Sequence, residues 1–134
     1  MPLHPEHTYV CLADDGAALE LAADSFWQLP AAELARHGAG WLISEFTFTE
    51  DWPTWEMHPQ GDEFVYLLSG AVDLLLEQGG KVVTTALDGS GAIVVPRGVW
   101  HTARVRAPSR MLHVTRGAGT ETRPVQPDSP STST

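Results

Sequence analysis

Hydrophobic and polar residues change their rhythm at residue 41. From there to residue 116, short runs of apolar, aromatic and β-branched side chains alternate with Gly, Pro, Asp and Ser at near-regular intervals. Residues 41–49, with Trp41, Ile43, Phe46 and Phe48, suit a pleated strand. Residues 63–68 and 71–77 read as two more strands, separated by Ser69-Gly70, and Gln78-Gly79-Gly80 turns the chain into 81–87. Residues 92–95 follow a turn at 88–91, residues 99–106 follow Gly98, and residues 110–116 follow Pro108-Ser109. About six or seven short strands punctuated in this way predict an all-β fold, an antiparallel sandwich or β-barrel.

The first 40 residues have a different texture. Residues 1–16 read as polar and irregular, and Leu19-Glu20-Leu21 as a short strand. Residues 30–38 read as a short helix, with Pro30 at its start and Gly38 at its stop. Beyond residue 117 the chain becomes rich in Pro, Ser and Thr and has almost nothing to bury. The expected organisation is an N-terminal extension over 1–40 packing on the barrel, the barrel over 41–117, and an unstructured tail over 118–134.

The chain has 134 residues, 43% hydrophobic and 19% charged, enough for one domain with its own core. No apolar run approaches the roughly 18 residues that span a bilayer, and the N-terminus lacks a basic-then-apolar signal. The single cysteine, Cys11, rules out an internal disulfide and cysteine-based zinc sites. A cytoplasmic setting is the default expectation. With 17 acidic against 8 basic residues the formal charge is −9, which disfavours phosphate backbones and anionic lipid. Neither nucleic acid nor membrane is expected as a partner.

The candidate chemistry lies in two stretches. The first is Trp55-Glu56-Met57-His58-Pro59-Gln60-Gly61-Asp62-Glu63, and the second Pro96-Arg97-Gly98-Val99-Trp100-His101. Side chains two apart on extended backbone share a face, which groups Glu56 with His58, Glu63 with Val65 and Leu67, and Val99 with His101. Imidazole nitrogen and carboxylate oxygen suit a divalent metal such as Fe, Mn, Zn or Ni, and two histidines with one carboxylate leave positions open for water or a chelating substrate. Glu56 could be a fourth ligand or a general base. Read singly, histidines such as His58 and His101 are more often structural; the spacing of the whole set favours the metal. The aliphatic neighbours Val65 and Val99 point to an apolar interior around it, Trp55 and Trp52 to a rim, and His113 to either a ligand contact or a buried structural histidine. His4, His7 and His37 sit in stretches that read as solvated.

His58-x4-Glu63-x6-Gly70, followed by Pro96-x-Gly98-x2-His101, resembles the two motifs of the cupin superfamily, in its small single-domain form. Three positions depart from that pattern. Glu56 stands where the first histidine is usual, Ser90 where the second motif's leading glycine is usual, and Val105 where its last asparagine is usual. The resemblance implies a jelly roll, or double-stranded β-helix, with metal held by Glu56, His58, Glu63 and His101. It implies substrate in the mouth near Trp55, Val65, Val99 and His113, and a homodimer formed through the sheets. It also implies either dioxygenase, isomerase or lyase chemistry on a small oxygen-bearing substrate, with Glu56 as ligand or base, or a sugar- or small-molecule-binding module without turnover. A second carboxylate in the donor set tilts the metal toward Mn, Fe or Zn.

Overall fold

The computed structural model describes residues 2–126, so the part of the expected tail beyond 126 lies outside the described residues. Nine strands, β1 (Thr8–Leu12), β2 (Ala18–Ala22), β3 (Trp41–Phe48), β4 (Thr54–Met57), β5 (Glu63–Gln78), β6 (Lys81–Asp88), β7 (Gly91–Val95), β8 (His101–Thr115) and β9 (Glu121–Pro124), pair antiparallel. Two short helices, α1 (Ala23–Phe26) and α2 (Ala31–Gly38), lie between β2 and β3. One path runs β2-β1-β3-β8-β4-β9, and β5 joins it through β8 while also pairing with β6 and β7. The antiparallel pairing is consistent with a cupin-like jelly roll, and no pairing among the described residues closes the sheet into a ring.

The long strands β5 and β8 each unite two segments that the sequence reads as separate. Ser69-Gly70 and Pro108-Ser109 bend the strands without ending them, and the β5–β8 register shifts between Leu67 and Val72. Gly70 sits at φ +99°, where a Cβ would fall against Ser109 Oγ and the Pro108 carbonyl, so glycine is required twice over. Ser109 then closes the bend: its hydroxyl accepts from the Ala71 N–H at 3.0 Å and donates to the Ala107 carbonyl at 2.7 Å.

Alternation sorts these strands into two faces. Val65, Leu67, Val72, Leu74, Val95, Ala103 and Met111 turn inward and are fully buried, with Trp52, Leu76 and Leu87 completing one apolar core. Each such aliphatic side chain contributes about 1.5–3 kcal/mol, so this column stabilises the sheet and leaves polar residues at one end free for chemistry.

Two expectations are corrected. Residues 8–12 are a strand: Tyr9 and Cys11 alternate inward on β1, which pairs with β2 and with β3, a pattern too short to read from five residues. Residues 121–124 are also a strand, paired with β4 from Thr54↔Pro124 to Met57↔Glu121. Composition gave no warning because β9 is held by backbone pairing and by Arg123. That guanidinium stacks over Trp55 at 5.4 Å and Trp100 at 4.5 Å and ion-pairs with Glu77. Pro124 is tolerated at the end of an edge strand.

Candidate metal centre

The two sequence stretches meet through their backbones. Pro96 to Val99 form a turn, closed by the Val99 N–H on the Pro96 carbonyl, with Gly98 in the left-handed region at φ +80°. That places the Gly98 N–H on the His58 carbonyl at 2.9 Å and the Arg97 N–H on Asp62 Oδ1 at 2.7 Å. Asp62 therefore clamps the second loop. Glu56 on β4 lies directly opposite His101 on β8.

The expected carboxylates gather around the two histidines. One donor atom each from Glu56, His58 and His101 lies within 4.8 Å of the others, forming a potential mononuclear metal site. Glu63 Oε1 lies between the imidazoles, 3.1 Å from His101 Nε2 and 3.5 Å from His58 Nε2, while Glu56 Oε1 is 3.8 Å from His58 Nε2. Donors sharing one ion at about 2.1 Å stand about 3.0–3.5 Å apart at right-angle to tetrahedral geometry, so Glu63 stands at that distance from each histidine.

The outer hydrogen bonds decide which nitrogen is available. The Thr120 hydroxyl donates to the Gly117 carbonyl at 2.8 Å, so toward His58 it can only accept, and Nδ1–H donates to it at 2.8 Å. The His101 Nδ1–H donates to the Val99 carbonyl at 3.1 Å. In their neutral forms both imidazoles thus keep Nε2 as a bare lone pair, which is how a metal-binding histidine is prepared. His58 Nε2, His101 Nε2 and Glu63 Oε1 are all buried without a hydrogen-bond partner. An orphaned buried polar atom costs about 1–3 kcal/mol, and three at one point are satisfied together by a single cation. The residues present fit a divalent metal ion.

Electrostatics follow from the same packing. Burial alone would raise the Glu63 pKa, but the His101, His113 and His58 imidazoles hold it well below the usual carboxylate range. Thr115 Oγ1 donates to its other oxygen at 2.5 Å. Burial opposes a charged His101, yet the Glu63 carboxylate, the Val99 carbonyl and Glu56 raise its pKa above the ordinary value.

Glu56, His58 and Glu63 open onto a cavity of about 960 Å³. Its walls include Phe46, Phe48 and Trp52, and from the N-terminal segment Phe26, Trp27 and His37. His37 is buried rather than solvated, because α2 folds back over the mouth. His113 lines the cavity, with Nδ1 3.5 Å from Glu63 Oε2 and Nε2 unpartnered.

The other expected pocket residues lie elsewhere. Trp55 is buried on the opposite face of β4, under Arg123; the alternation that turns Glu56 inward turns Trp55 away. Val65 is core, paired across the sheet with His113, and Val99 packs on the core and offers its carbonyl to His101 rather than forming wall. Neither Thr115 nor Thr120 stands out in the sequence, where a threonine outside a motif carries no signal. Alternation with His113 could have found Thr115, but nothing local marks Thr120.

No protein-family model matches the chain, and no curated protein matches it. Solved structures do. An oxalate oxidase studied for its mechanism is 17% identical with a TM-score of 0.50, over 60% of this chain and 44% of that one. An oxalate oxidase in complex with glycolate is 16% identical with a TM-score of 0.51, over 60% and 45%. A cupin superfamily protein from Desulfitobacterium hafniense is 21% identical with a TM-score of 0.48, over 56% and 65%. The chain thus spans less than half the length of the oxalate oxidases it resembles. At these identities the likeness shows the fold alone, which this chain shares with the oxalate oxidases over 60% of its length.

Proposed function

We propose that the chain is a small single-domain cupin whose sheet wraps as a barrel around one divalent metal ion, and that it is a metal-dependent enzyme acting on a small oxygen-bearing substrate. The observation that carries this reading is the convergence of three unpartnered buried atoms, His58 Nε2, His101 Nε2 and Glu63 Oε1, with both Nδ1 protons already committed. Glu56 would be the fourth donor. When bound, a divalent ion supplies Lewis acidity toward a ligand oxygen. The chain's own residues do the rest. Thr120 and Val99 fix the imidazoles, Thr115 holds Glu63, and Phe46, Phe48 and Trp52 exclude water from one side of the cavity. Glu56, partly exposed at the cavity, is placed to take or return a proton if it does not bind metal.

Elemental analysis of purified and metal-reloaded protein tests the site, wild type against His58→Ala and His101→Ala. Stoichiometric Mn, Fe, Zn or Ni in the wild type and its loss in the variants is the expected result; no bound metal after reloading would refute the reading. Oxygen consumption and product formation on chelating substrates then separate dioxygenase from isomerase or lyase chemistry. The oxalate named for the structural neighbours is not carried over, because likeness of fold does not transmit substrate. A binding module without turnover is the second reading, favoured by Glu56 in place of the usual histidine; tight binding with no product in every reloaded form would establish it.

The partner we propose is a second copy of the chain. Phe64 and Tyr66 on β5 and Val94 on β7 are exposed side by side, with Phe64 and Val94 directly paired. Sedimentation should give a dimer, and Phe64→Glu a monomer. A cytoplasmic setting remains part of the proposal, and no helix among the described residues is long and apolar enough to cross a membrane.

A further inference from the structure

The cavity beside the metal centre has a one-sided charge. Its lining includes Glu50, Asp51, Glu56 and Glu63, and none of the described residues lining it is Lys or Arg. The nearby guanidinium groups are held elsewhere: Arg123 between Trp55 and Trp100 with Glu77, Arg116 over Trp41 with Asp14, and Arg110 on Glu45. A divalent ion shared by Glu56 and Glu63 would offset those two carboxylates and leave Glu50 and Asp51 uncompensated. Asp51 cannot swing away cheaply, since its Oδ1 accepts the Val105 N–H at 2.7 Å.

The walls add shape and polarity. Phe48 lies 5.3 Å from Trp52 and 5.9 Å from Phe46, and all three rings surround His113 at 5.6–6.3 Å. Two polar atoms in this aromatic wall, Trp52 Nε1 and His113 Nε2, are buried and unpartnered. Indole N–H is a donor only, so its natural partner is a ligand oxygen. A cavity of about 960 Å³ is of the size that encloses a ring-bearing ligand, and a two-carbon acid would leave most of it empty.

We propose that this cavity takes an aromatic ligand bearing an uncharged oxygen donor or an amine, and discriminates against carboxylates. The proposal rests on the metal-site reading for where the ligand's oxygen is held, but its charge preference comes from the cavity walls alone. An anion entering would face Glu50 and Asp51 with no lysine or arginine in the lining to meet it, and the charge of a divalent ion would already be offset by Glu56 and Glu63. A neutral or cationic ring instead gains the aromatic faces and, if it carries an amine, the rim carboxylates.

The test uses one scaffold with three substituents: 2-(aminomethyl)phenol, 2-hydroxybenzyl alcohol and 2-hydroxybenzoate, with oxalate as a fourth probe. Binding is followed by tryptophan fluorescence and calorimetry on metal-free and metal-reloaded protein, with metal content measured separately. The expected result is that the amine and the alcohol bind at least about tenfold more tightly than 2-hydroxybenzoate in both forms, and that oxalate leaves the fluorescence unchanged. Glu50→Lys, at an exposed rim position, should strengthen 2-hydroxybenzoate binding and weaken the amine. Equal or tighter binding of either carboxylate by the wild type, no binding of any aromatic probe, or an unchanged order in Glu50→Lys overturns the proposal. Failure to take up metal overturns the proposed function instead, and the order of affinities is then read on the metal-free protein.

Discussion

Thr120 lies outside both motifs, yet the orientation of His58 depends on its hydroxyl. Thr120→Val removes that oxygen while keeping the volume. The His58 Nδ1–H, now without its 2.8 Å acceptor, is left buried beside an apolar group. Two costs combine: a net hydrogen bond of about 0.5–1.5 kcal/mol, and about 1–3 kcal/mol if the buried N–H finds no substitute. The imidazole can escape by turning over or by moving its proton to Nε2, and either response removes the lone pair that faces Glu63 Oε1 at 3.5 Å. Loss of such an outer partner typically lowers metal affinity about 10–100-fold, or about 1.4–2.8 kcal/mol, within the range the two costs allow. Competition against a coloured chelator at neutral pH measures the constant for wild type, Thr120→Val and Thr120→Ser. Serine should restore most of the affinity because it keeps the hydroxyl. Wild-type affinity in a folded Thr120→Val protein would refute the tautomer argument, and equal loss in Thr120→Ser would mean that packing, rather than the hydroxyl, matters.

Other consequences follow from the same geometry. Glu56 is partly exposed whereas His101 is fully buried, so Glu56→Gln should weaken metal uptake less than His101→Ala does; equal abolition in elemental analysis would contradict this. In metal-free protein, the depressed Glu63 pKa gives stability that is present above the unfolded carboxylate value of about 4.3 and lost as pH falls through the folded one. The raised His101 pKa gives stability that is full below about 6.5 and lost as pH rises through its folded value. The difference in melting temperature between wild type and His101→Gln, without metal, should therefore peak between these limits, while stabilisation by added metal should grow as pH rises through the His101 pKa. A difference that climbs steadily to pH 8 would rule out the assignment. Gly70→Ala places a side chain in a left-handed position against Ser109 and Pro108, and should cost about 2–4 kcal/mol in urea unfolding; an unchanged midpoint would show that the bend can relax.

Much of this molecule is legible along the chain. The runs of apolar, aromatic and β-branched residues over 41–116 located the strands from β3 to β8, apart from short β4, and the Pro and Gly positions located the turns. The chemistry of His58, Glu63 and His101 named a metal before any pairing was known. Alternation along extended backbone also turns Trp55 away from the cavity that Glu56 faces. What it could not reveal was continuity: Gly70 and Pro108-Ser109 read as breaks, but act as bends because two long strands, β5 and β8, support each other across them.

The sequence by itself determined which face of its own strand each side chain takes and which atoms are able to hold a metal. Those are local matters, fixed by backbone geometry and side-chain chemistry. Only the tertiary structure decided that Glu56 lies opposite His101, that Thr120 and Val99 set the two imidazole tautomers, and that α1 and α2 wall the cavity. It also turned part of an apparent tail into β9. Each of these depends on which distant segment lies alongside, and no periodicity within a segment records its neighbour.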